Sequence, residues 1–129
     1  MNSHILKGFN DHFMEMVEDI ERVFPDDTDI STVKKSFTEL RKANPKMVIK
    51  VYKEQILDLY RNQIESGNID FFIDKDYKKD VGNIQDSEYI LNKINILRDP
   101  VRDMEKEDQN KVIKYIQNLS KLCDAYHNK

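Results

Sequence analysis

A chain of 129 residues suits one domain, and at that size a single core buries about two-thirds of the unfolded surface without staples. One cysteine, Cys123, excludes an intrachain disulfide framework and predicts a reducing, intracellular setting; the N-terminal residues carry no secretory pattern, and no stretch reaches the ~18 uninterrupted apolar residues of a membrane span. A net charge of −3 offers no bulk attraction to nucleic acid.

Three glycines and three prolines among many Lys, Glu, Asp, Leu and Ile favour helices over a sheet with many turns. Phe9, Phe13, Met16, Val17, Ile20 and Phe24 recur at helical spacing, which predicts a first helix over 10–24, capped by Asn10 and ended by Pro25. Residues 1–8 are expected to be loose. Asp29 is placed to cap a second helix to Ala43, with Ile30, Val33, Phe37 and Leu40 inward. Asn44 and Pro45 predict the start of a third. Its stripe of Val48, Tyr52, Ile56, Leu59, Tyr60 and Ile64, widened by Val51 and Leu57, is broad enough for a central helix. Gly67 fits the left-handed position beyond its end.

Residues 69–83, IDFFIDKDYKKDVGN, predict a helical turn or two around 70–80 and a turn at Gly82-Asn83. Asp86 or Ser87 caps a fourth helix with Ile90, Leu91, Ile94 and Leu97 inward, stopped at Asp99-Pro100. The last helix runs from about Asp108 to Tyr126 on Val112, Ile116, Leu119, Cys123 and Tyr126, with residues 127–129 frayed. Short connections favour antiparallel neighbours, so the fold expected is all-α, a compact bundle of five to six helices in one domain.

Charge divides along the chain. Residues 11–29 are acidic, with Arg22 as the sole cation beside His12; residues 34–53 are basic, with Glu39 as the sole acid. Lys34, Lys42, Lys46, Lys50 and Lys53 are the candidate basic patch for phosphate or an acidic partner. The plainer expectation is neutralisation against the acidic first helix. In the FF segment, Ile69, Phe72 and Ile73 form a short inward stripe. Tyr77 follows that stripe, and Phe71 then points outward beside Lys75 and Lys78, as an aromatic anchor with a charged rim, so Phe71, Lys75 and Tyr77 are the candidate interaction residues. On that reading a Phe71→Ala change leaves melting nearly unaltered.

Other constellations fail on their spacing. The acids at 27–31 and at 74–76 lack the Gly and terminal Glu of a calcium loop. Cys123 and His127 share a helix face, but structural zinc needs two more ligands, and nothing fixes His4 or His12 nearby. Histidines near the termini are expected to be solvated. No nucleophile elbow or tuned acid/base pair is present in the sequence. No metal or cofactor is expected.

The strings GFNDHFMEMVEDIERVFPDDTDI, KANPKMVIKVY, IDFFIDKDY and YIQNLSKL resemble short α-helical proteins encoded by nucleocytoplasmic large DNA viruses of algae and protists, over Phe9 to Leu122. These motifs carry no known chemistry, so the resemblance supplies no functional residue. It implies a viral protein made in the host cytoplasm, with a place in the virion or the replication factory. The function expected is a non-enzymatic module that binds another protein or a copy of itself. The alternative is an accessory nucleic-acid binder using the basic patch.

Overall fold

The computed structural model describes residues 3–74 and 85–127. Helix α1 covers Ser3–Val23, α2 Thr28–Ala43, α3 Met47–Tyr52, α4 Asp58–Glu65, α5 Asp70–Asp74, α6 Gln85–Asp103 and α7 Lys106–His127. A π-helical stretch, Lys53–Leu57, joins α3 to α4 without a break. Counted as one interrupted helix, Met47–Glu65 brings the total to six among the described residues, in a compact all-α fold.

Helix α1 begins well before Asn10. Leu6 and Phe9, both buried, extend its apolar stripe towards the N-terminus, and Asn10 lies buried within the helix rather than capping it. The stripe packs along α7 and α2. Pro25 follows the end of α1, as expected. The cap of α2 is Asp27, whose Oδ1 accepts from the backbone N–H of Asp29 (2.9 Å) and Ile30 (3.3 Å). Gly67 takes φ +76°, where a side chain would be strained.

Three further expectations are corrected by burial. Helix α6 does not stop at Asp99-Pro100 but continues through the proline to Asp103. Val101 and Met104 are buried beyond it. Burying two such side chains contributes about 3–6 kcal/mol, enough to offset the about 3 kcal/mol that proline costs inside a helix. Leu59, expected inward, is 52% exposed. A π turn bonds i to i+5, so an α-periodic stripe loses phase across Lys53–Leu57; Leu57 turns inward (1% exposed) and Leu59 outward. Phe71, expected outward, is buried with Ile69, Phe72 and Ile73. Its ring stacks on Tyr60 with centroids 5.3 Å apart, and Phe72 meets it edge-on at 6.4 Å.

The short α5 is tied down at its C-terminal end. Arg102 donates to the Ile73 carbonyl at 2.6 Å, and Arg98 reaches the same oxygen at 3.4 Å. Asn68 caps the other end through the Asp70 N–H (2.9 Å). Both adjacent rings are buried: each lines the core beside Ile94 and Leu97, and Tyr60 stacks on Phe71.

Phe71→Ala should therefore cost about 3–5 kcal/mol in urea unfolding, whereas Leu59→Ser should stay within about 0.5 kcal/mol. A Phe71→Ala loss below about 1 kcal/mol would return that ring to the surface.

Candidate functional site

The basic segment divides into neutralised and unneutralised lysines. Lys34 donates to Glu21 at 3.1 Å, and Ser31 donates to the other Glu21 oxygen at 2.9 Å. The Ser31 hydroxyl, then Lys34, hold that carboxyl below its ordinary range. Arg41 reaches Asp11 at 2.5 Å, with Lys7 on the same carboxylate at 2.7 Å. Lys53 pairs with Asp58 at 3.0 Å within its own helix. Lys34 and Lys53 are thus already paired, Lys34 because the acidic first helix lies beside it and Lys53 through an acid five residues along its own helix.

Lys42, Lys46 and Lys50 are exposed and make no ion pair among the described residues. They stand at the corner where α2 passes into α3. Asn10 fixes that corner from inside: its amide donates to the Pro45 carbonyl at 3.0 Å, and the residue is 5% exposed. The Asn44 N–H closes the end of α2 on the Leu40 carbonyl at 2.7 Å. Of the aromatic docking set, Phe71 is in the core, and Lys75 and Tyr77 lie outside the described residues.

A second feature is a groove between α4 and α7. Directly before it the backbone leaves α geometry twice, over Lys53–Leu57 and at Tyr60 (φ −126°, ψ 25°). Such departures cluster at functional positions. Arg61 then reaches across to α7 and grips Asp124 with both terminal nitrogens, at 2.9 and 3.0 Å. This fork holds the Asp124 carboxyl below its ordinary range, and the same hydrogen bonds raise Arg61 further. Beside the pair lies a cavity of about 340 Å³, walled by Ile64, Gln117, Ser120 and Lys121. Gln117 is held by the Ile64 carbonyl, to which its amide donates at 2.9 Å.

Under the groove the polar groups are satisfied internally. The Tyr52 hydroxyl lies 2.9 Å from the Ile116 carbonyl and 2.8 Å from Ser120 Oγ, and Ser120 Oγ lies 2.9 Å from the same carbonyl. Two hydroxyl protons serve one carbonyl oxygen and each other, while burial pushes Tyr52 above its ordinary value. Cys123 is fully buried. Burial, aided by the Asp124 charge, pushes its thiol up to about 12. A thiol so protonated is a poor nucleophile and metal ligand. Among the described residues no group of three or more His, Cys, Asp and Glu is placed to hold a metal ion, and no helix is long and apolar enough to cross a membrane.

His12 departs from the solvated expectation. Its ring sits 4.8 Å from that of Tyr115, Nδ1 lies 3.1 Å from Glu15, and buried Nε2 has no partner. Tyr115 in turn donates to Asp19. Neither this seam nor the Arg61–Asp124 fork shows in the sequence, since their partners are remote along the chain. Phase alone carried one hint: Arg61 and Asp124 both follow buried stripes closely.

Comparison of the chain with protein-family models, with curated proteins and with solved structures finds no match.

Asp124→Asn should lower stability at neutral pH by up to about 1 kcal/mol, as suits a partly exposed pair. Asp124 has a depressed folded pKa, so its contribution is full above the ordinary carboxyl value of 3.8 and fades as pH falls through the lower folded value. Urea melts of both chains from pH 7 to about pH 2 should therefore converge; a constant gap would contradict the fork.

Proposed function

We propose that this chain is a non-enzymatic interaction module that docks an acidic segment of a protein partner on its α2–α3 corner. The observation that carries this reading is the unneutralised trio Lys42, Lys46 and Lys50 gathered at one corner, while Lys34, Arg41 and Lys53 are paired with acids and Lys35, also without an ion pair among the described residues, lies farther back on α2. A rigid corner lowers the ordering cost of docking, and exposed like charges steer an oppositely charged partner. The acidic turn holding Asp26 and Asp29 gives a second copy of the chain the same chemistry, so self-association falls within the reading. The non-enzymatic part rests on the protonated Cys123 thiol and on the Asp124 carboxylate already engaged by Arg61. The setting we propose is the one the viral resemblance implies, in the host cytoplasm or the virion.

A nucleic-acid backbone would meet the same three lysines, and this second reading rests on them alone. The net charge of −3 weighs against it.

Fluorescence anisotropy with a Glu-rich peptide tests the choice. The wild-type chain should bind at low salt and release steeply as salt rises. The variant with Lys42→Gln, Lys46→Gln and Lys50→Gln should lose ten-fold or more in affinity while melting normally. Absence of peptide binding at low salt would end the reading; tighter, salt-sensitive retention of duplex DNA or RNA would replace it with the second. Sedimentation velocity at both salt concentrations reports whether the partner is another copy.

A further inference from the structure

The groove between α4 and α7 lies apart from the basic corner and has chemistry of its own. Its volume of about 340 Å³ lies in the range of small-molecule pockets, about 300–1,000 Å³. Its lining sets two cations, Arg61 and Lys121, beside two carboxylates, Asp124 and Glu65, and both cations keep free donors. The guanidinium has five N–H donors, and the fork to Asp124 engages one on each terminal nitrogen. Each Asp124 oxygen already accepts from Arg61. Lys121 stands exposed on the rim with no ion pair among the described residues. Gln117 is anchored through the Ile64 carbonyl and keeps a second amide hydrogen. Glu65, 3.8 Å from Arg61, is 66% exposed and largely screened by solvent.

The groove is also built in advance. The fork orients the guanidinium across the gap between two helices, and the π-helical stretch sets the phase that sends Leu59 outward and Arg61 to α7. Ile64 supplies an apolar wall. Oriented planar donors beside a mobile ammonium suit an oxyanion.

We propose that this groove binds a small molecule through an oxyanion group, a carboxylate or a phosphate, held between Arg61 and Lys121. Lys121 supplies charge from the rim, and Asp124 positions Arg61 without touching the ligand. Binding adds anionic charge where the lining is otherwise balanced, so affinity depends on Lys121.

The test is an NMR titration of the full chain with sodium phosphate and, separately, disodium succinate, with ionic strength held constant by sodium chloride. At least one anion should give saturable amide shifts within 61–65 and 117–124. Lys121→Gln, a rim change away from the core, should weaken that response ten-fold or more and leave the remaining spectrum in place. Arg61→Lys, which keeps the charge and removes the planar fork, should weaken it as well. No saturable shift with either anion, shifts confined to 42–50, or a Lys121→Gln response equal to wild type would each overturn the site. Phosphate alone, succinate alone, or both would identify which oxyanion the groove accepts.

Discussion

The phase of one helix governs the surface of this protein. Between Tyr52 and Asp58 the backbone widens to π geometry, and the residues after it face directions that an α-helix would not give them. Leu59 moves to solvent, Tyr60 covers Phe71, and Arg61 reaches α7. Without that change of phase, Phe71 would lack its stacked partner and the α4–α7 groove its cation. The cost of the irregular turn is offset by the apolar side chains that flank it, since Tyr52, Ile56, Leu57 and Ile64 are all buried.

Helix ends show a second constraint. The last carbonyls of a helix have no partner within it, and here side chains from other elements supply one. Asn10 serves the corner after α2, Gln117 the end of α4, Arg102 the end of α5 and Gln109 the end of α6. The Asn10, Gln117 and Arg102 bonds each reach 29 or more residues along the chain, and the Gln109 bond spans the α6–α7 turn. The helices are thereby fixed against one another by polar contacts as well as by the apolar cluster that draws on all of them. The basic corner and the groove both sit at such junctions, which is why each presents its charges in a defined place.

Charge follows the same logic. The acidic first helix and the basic second lie side by side, and the pairs Lys34–Glu21 and Arg41–Asp11 offset part of the contrast seen along the chain. Exposed pairs of this kind add little stability; they leave Lys42, Lys46 and Lys50 at the corner, and Lys35 farther back on α2, without an ion pair among the described residues.

The sequence by itself determined the all-α class, the helical segments, the turn at Gly67 and most of the inward faces, because apolar spacing and turn chemistry act over a few residues. Ile20, Phe37, Leu97 and Leu119 were legible as core from periodicity alone. Tertiary structure decided where that periodicity slips, which ring of the FF pair finds cover, how α6 passes Pro100, and which lysines meet acids. Those outcomes depend on backbone phase and on which helices lie side by side. Both arise from contacts between residues far apart in the chain, and no local pattern of residues encodes them.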